Sequence, residues 1–142
     1  MRHPLRQNIK QRREHEIVVS ENDHARLTGL AESSLDRLPG IAEELLAEME
    51  RAKIKPLSRI PANVVRMGST VTFRGGDGEV KTVTLVYPGK ADIAEGKVSI
   101  LTPVGAALIG LREGQSVAWT SRDGRRLELE IVAVEAPRAD AN

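Results

Sequence analysis

Ser20, Asp23 and His24 place a hydroxyl, a carboxylate and an imidazole close together in the chain, the three groups of a nucleophilic triad. Their spacing argues against that chemistry. Neighbours at the start of one helix cannot easily point at one another. A serine ahead of Glu21, Asn22 and Asp23 has a simpler task, since its hydroxyl caps the helix and the acidic first turn suits the positive end. The other histidines, His3 and His15, lie in the polar N-terminal stretch, and no two of the three share the i, i+4 spacing of a helical metal site. Absence of cysteine removes thiolate metal sites and disulfides. Gly75-Gly76-Asp77-Gly78 runs into a strand pattern rather than into Lys-Ser/Thr and a helix, so it predicts a hairpin turn with positive φ angles and no phosphate cradle. These residues call for no catalytic group, no metal and no cofactor.

The elements that would position any site divide the chain at about 16, 56 and 68. Residues 1–16 read as a basic tail. Arg2, Arg6, Lys10, Arg12 and Arg13 against Glu14 and Glu16 give it about +3, which suits a solvated arm or weak contact with nucleic-acid phosphates. Residues 17–56 read as an antiparallel helical hairpin, a short coiled coil entered through the extended Ile17-Val18-Val19. Leu27, Leu30, Ala31, Ser34 and Leu38 form one apolar stripe, and Ile41, Leu45, Leu46, Met49 and Ala52 form the other. Pro39 is placed to begin the second helix. Residues 57–68 read as a linker, with prolines at 56 and 61 blocking continuous helix.

From 69 to 137 the apolar period changes to two. Val71 and Phe73, then Val83, Leu85 and Tyr87, then Leu127, Leu129 and Ile131 take the inward positions. Asp123-Gly124 makes a second tight turn. Together these predict an α+β chain, a helical hairpin followed by a small antiparallel sheet packed on one short helix. Residues 138–142 form a second tail. A net charge of +1 speaks against strong whole-chain attraction to nucleic acid or an anionic membrane. Phe73, Tyr87 and Trp119 are the only aromatics, too few for base-stacking platforms or an aromatic-lined pocket. No apolar run is long enough to span a bilayer, and a cysteine-free chain suits the cytoplasm.

The segment Leu85–Gly114 carries the densest pattern, VYP…AD…G-VS-LTPVGAALIGL…G. Thr102 can cap a short helix, Pro103 suits its first position and Gly110 its left-handed exit, while Val104, Ala107, Leu108 and Leu111 share one apolar face. The pattern resembles the C-terminal signature of the bacterial Gre transcript-cleavage factors, and is closer to the short Gre-like Rnk family. The similarity runs from roughly Val18 to Pro137. It implies an FKBP-like fold for the sheet and RNA polymerase as the partner, met near the secondary-channel entrance. Asp92, Ser99, Leu101, Thr102, Pro103 and Val104 are the docking residues it implies. Fold alone does not transfer prolyl isomerase activity, and three aromatics do not furnish the cleft that chemistry uses.

Two departures from the Gre pattern shape the expected function. Gre factors carry paired carboxylates at the end of a long coiled coil, where two oxygen ligands help hold a catalytic cation. Here the predicted tip is Leu35-Asp36-Arg37-Leu38-Pro39-Gly40, with Asp36 single and the cation Arg37 beside it. In the docking loop, the acidic residue that precedes serine and proline in Gre factors is replaced by Leu101, ahead of Thr102-Pro103. Thr102 and Pro103 also start a helix, and both roles can coexist. The resemblance thus implies a non-enzymatic elongation regulator that occupies the channel entrance and competes with cleavage factors. Cleavage stimulation through Asp36, and nucleic-acid binding through residues 1–16, are the alternatives.

Overall fold

The computed structural model describes residues 16–121 and 123–137, so the basic tail up to residue 15 and the C-terminal tail lie outside the described residues. Strand β1 (Val18–Ser20) runs directly into helix α1 (Glu21–Ser33). The join is the expected cap: the Ser20 Oγ accepts the Asp23 backbone N–H at 3.0 Å. At the far end the Ser33 and Ser34 hydroxyls both donate to the Leu30 carbonyl, closing the helix. Residues 34–37 turn the chain, and helix α2 (Pro39–Arg51) begins on its proline.

Each hairpin helix has 13 residues, so the arm is about 20 Å long. Leu27, Ala31, Ala42, Leu45 and Met49 fill its seam and are essentially inaccessible to water. Ser34 is buried as expected, but Leu38 is 42% exposed. It stands at the N-cap of α2, beyond the last turn that could turn it inward, and so falls off the stripe assigned to it. Strand β2 (Lys53–Lys55) then pairs in parallel with β1, Val18 opposite Lys53 and Ser20 opposite Lys55. This pairing is long-range and no local pattern announces it.

Between β2 and the main sheet, Val64 and Val65 are fully buried, within the stretch expected as linker. The sheet comprises β3 (Thr70–Gly75), β4 (Val80–Val86), β5 (Lys97–Ser99), β6 (Ser116–Thr120) and β7 (Arg126–Glu135) in the order β5-β4-β3-β7-β6. All neighbours are antiparallel except β4 and β5. Of the first turn's glycines only Gly78 adopts positive φ, at 86°; Gly75 and Gly76 do not, which corrects the expectation for the whole loop. Gly124 is positive as well.

One irregularity matters for packing. The β3–β7 register steps from Thr72↔Ala133 to Phe73↔Ile131, leaving Val132 without a partner. That bulge reverses the alternation of β7, so Ile131 and Val134 both face the core opposite Phe73 and Val71. Val132 is left 40% exposed. Across the outer face, Thr70–Thr84 and Thr72–Thr82 hydroxyl pairs at 3.0 Å and the Arg74–Glu130 ion pair bind neighbouring strands.

Helix α3 (Pro103–Leu108) packs near β6 and α2. Its Ala107 and Leu108 join Leu27, Leu45, Met49, Val71, Leu85 and Ile131 in one continuous apolar cluster. The hairpin and sheet therefore share a core. Among the described residues, no helix is long and apolar enough to cross a membrane.

Leu45→Ala should cost roughly 2–4 kcal/mol, since the removed atoms leave a void in a seam flanked by helix backbones. Leu38→Ala should stay within about 0.5 kcal/mol, as an exposed position away from the core. Urea unfolding of both variants checks the difference.

Candidate functional site

Ser99 through Val104 form one hydrogen-bonded unit at the C-terminal end of β5. Ser99 pairs with Val86 of β4, and the Ile100 N–H donates to the Val86 carbonyl at 2.9 Å. The Ser99 Oγ accepts the Leu101 N–H at 2.9 Å, which bends the chain off the sheet. Thr102 works in both directions: its hydroxyl donates to the Ser99 carbonyl at 2.7 Å and accepts the Gly105 N–H at 3.1 Å. Pro103 occupies the first turn of α3, where its missing N–H costs nothing.

The tightness of this corner explains Gly105. A Cβ there would run into the Ser99 carbonyl oxygen and lie 3.0 Å from the Ile100 Cα. Only glycine lets the helix sit so close beneath the loop that precedes it. Leu101 and Val104 are half-buried, packed against the core while keeping part of their apolar surface in water.

Asp92 belongs to the adjoining turn. Its carboxylate accepts the Ala94 N–H at 3.1 Å, and its backbone exchanges two 2.9 Å hydrogen bonds with Lys97. Gly96, at φ 74°, closes that turn. Held at its crest is Ile93, 90% exposed, the most exposed large apolar side chain among the described residues. Asp36 and Arg37 stand elsewhere, both exposed on the turn between α1 and α2. Asp92 is thus bridged to Lys97, two residues before Ser99 on the same strand, while Asp36 and Arg37 belong to a different element. No group of three or more His, Asp or Glu among the described residues is arranged to hold a metal ion.

Sequence reasoning missed a polar cluster where α1 meets the sheet. The Asp23 carboxylate lies 3.4 Å from the Met67 N–H and 3.5 Å from the Tyr87 hydroxyl, which both point toward it. The Arg26 guanidinium stacks over the Tyr87 ring, 4.1 Å from its centroid. Beside it His24 bonds through Nε2 to the Met49 carbonyl at 3.0 Å, tying α1 to the end of α2. The Ser20–Asp23–His24 grouping is thus dispersed: the serine caps, the aspartate turns to the sheet and the histidine crosses to α2. The only local signal for the cluster was an acidic first turn, which capping already explained.

Burial dominates the electrostatics of this cluster. Desolvation raises the Asp23 pKa above its ordinary 3.8, although the Met67 N–H and the Arg26 and Arg66 charges pull the other way. Burial, with Asp23 nearby, raises Tyr87 to about 12.

The sequence similarities cover both parts of this architecture. Residues 60–136 match the family described as "Transcription elongation factor, GreA/GreB, C-term", and residues 15–54 match "Rnk N-terminus". The regulator of nucleoside diphosphate kinase of Escherichia coli K12 is 39% identical over 120 residues, covering 84% of this chain and 88% of that protein. Transcription elongation factor GreA of Azorhizobium caulinodans is 33% identical, covering 92% of this chain and 86% of its own. Among solved structures, a prokaryotic transcription elongation factor GreA/GreB from Nitrosomonas europaea superposes with TM-score 0.69 at 40% identity. That match covers 84% of this chain and 98% of the other.

The cluster yields a pH signature. Because the folded-state pKa of Asp23 is raised, its contribution to stability is fully present below 3.8 and is lost as pH rises through the higher folded value. Asp23→Asn, which cannot ionise, should gain on the wild type as pH climbs from about 3 to neutrality. Parallel denaturant melts check this, and a pH-independent difference between the two proteins contradicts it.

Proposed function

This chain belongs to the Rnk family within the Gre transcription elongation factor superfamily, and we propose that it binds RNA polymerase at the secondary-channel entrance and regulates elongation by occupancy. The observation that carries this reading is that similarity to elongation factors extends over hairpin and sheet together. On this reading one chain keeps both an arm and a docking face. The docking face is read as Asp92 with Ser99, Leu101, Thr102, Pro103 and Val104. Leu101 replaces an acidic residue with apolar area, and the rigid turn presenting Ile93 adds more beside Asp92. Contact through this face leans on shape and apolar burial rather than on charge.

At the other end, two 13-residue helices carry Asp36 next to Arg37. A lone carboxylate beside a guanidinium is poorly suited to hold a divalent cation, whereas a short arm suffices to obstruct an opening. The protein would act in the cytoplasm, competing with cleavage factors for the same entrance and carrying out no reaction itself. A second reading has one observation in its favour: Asp36 is exposed at the turn and would be presented to the polymerase site.

Binding to core polymerase should fall about tenfold or more in Pro103→Asp, the loss of a central contact being worth about 1–2 kcal/mol or more. Unchanged affinity in a variant with native thermal unfolding removes the docking assignment. On backtracked complexes the protein should inhibit a cleavage factor without stimulating cleavage. Strong cleavage that disappears in Asp36→Ala establishes the second reading instead.

A further inference from the structure

The strand edges of this fold are protected in different ways, save one. β1 is backed by Gly110, whose carbonyl accepts the Val18 N–H. β5 is sealed by the chain around it: Lys97 exchanges both backbone hydrogen bonds with Asp92, and the Ser99 carbonyl accepts the Thr102 hydroxyl. β2 is open, but it is three residues long and guarded by Lys53 and Lys55. The outer edge of β6 has none of these devices. Its sequence, SVAWT, holds no charge and no proline, and its pairing with β7 runs without a bulge.

The ladder shows which groups that edge presents. The Ile131 N–H bonds to the Gln115 carbonyl and the Ser121 N–H to the Arg125 carbonyl, in register with the pairs Val117↔Leu129 and Trp119↔Leu127. Those odd-numbered residues of β6 bond to β7, so the N–H and C=O of Ser116, Ala118 and Thr120 point off the sheet. No strand lies beyond them among the described residues.

We propose that β6 is a self-pairing edge, through which two copies of this chain join antiparallel about a two-fold axis at Ala118. That axis uses the whole strand, since Ser116 then faces Thr120 of the second copy and Ala118 faces its own equivalent. On the inner face the half-buried Trp119 meets Val117 of the second copy, an aromatic and β-branched pair. On the outer face only Ser, Ala and Thr meet at the seam. Behind them Arg126 lies across from Thr120 and Glu130 across from Ser116, both exposed. Each outer row therefore runs from Arg126 of one copy to Glu130 of the other, although Arg74 already meets Glu130 through Oε1. Glu128 stands behind Ala118 and faces its own equivalent across the seam, but like charges can turn apart where opposite ones turn together. A two-fold interface requires this kind of self-complementarity, which favours a second copy over an unrelated strand. The edge lies opposite β5, so pairing leaves the Ser99–Val104 corner open. The inference does not rest on the function proposed above.

Water already satisfies these groups in the single chain, so each new hydrogen bond gains little. A five-residue edge also falls short of the roughly 800 Å² per partner of a standard interface, which makes the dimer weak and concentration-dependent.

Sedimentation equilibrium of the full chain tests this. The average mass should rise from one chain toward two between about 1 and about 100 μM. Ala118→Pro removes an N–H that points off the sheet and no intrachain ladder bond, so it should weaken the dimer about tenfold or more. Ala118→Lys guards the edge with a charge and should do the same; it decides if the proline variant does not fold. The natural chain has no cysteine, so Ala118→Cys should cross-link to its own equivalent on mild oxidation. A hydrogen-bonded antiparallel pair sets the Cα atoms about 5.5 Å apart, within reach of a disulfide. Glu43→Cys, exposed on α2, should stay a single chain under the same treatment. A mass of one chain at every concentration overturns the proposal, as does equal cross-linking at both positions. A dimer that survives the Ala118 variants overturns it too, as does one lost on removing residues 1–16 or in Ile54→Ser at the β2 edge.

Discussion

Three stretches of chain that are remote in sequence cross at Gly110, and the rest of the structure depends on that crossing. The Gly110 N–H donates to the Val65 carbonyl, its own carbonyl accepts the Val18 N–H, and the neighbouring Leu111 carbonyl accepts the Val65 N–H. Every one of these groups is buried, so each must be paired or suffer the cost of desolvation. A side chain at 110 would bring two penalties at once, strain at positive φ and collision with Ile17. Around this knot the apolar cluster closes continuously, from Met49 in the hairpin to Leu129 in the sheet. The firm placement of α3, and hence of the Ser99–Val104 corner beside it, follows from having its exit locked there.

What could be read in advance was what is locally encoded. Ser20, Pro39, Thr102 and Pro103 signalled helix starts because a cap needs only the amides within the next turn. Gly110 signalled a left-handed exit for a similar reason, but not that Ile17 would pack against it. Alternation in β3 and β4 was legible, whereas the bulge at Val132 was not, since an extra residue reveals itself only against its partner strand. Leu38 was misassigned because a heptad-like count ran on past a helix that had already turned at Ser34. The corner at Ser99 to Val104 was singled out by resemblance, and its helix start by the Thr102 cap. The Asp23–Tyr87–Arg26 cluster was not, as Tyr87 lies more than sixty residues along the chain from the other two and each has a plausible local duty.

The three aromatics show how a core is economised. Phe73 is nearly buried within the sheet, and Trp119 and Tyr87 are half-buried at its margins. Apolar volume is otherwise supplied by Val, Leu, Ile and Ala, whose defined rotamers pack closely without polar atoms to satisfy. Tyr87 alone carries a hydroxyl to a half-buried partner, and it does so at the boundary between helix and sheet.

The parallel pairing of β1 with β2 has an evolutionary consequence. By holding Val18 beside Lys53 and Ser20 beside Lys55, it brings the two feet of the hairpin into fixed register independently of what lies between them. Insertions of matched length in α1 and α2 would then be absorbed entirely at the distal end. Seven residues added to each helix would extend the reach by about 10 Å while returning the apolar stripes to nearly the same side. Arm length becomes a parameter that descent can vary without renegotiating the base, so long and short versions can share one foundation.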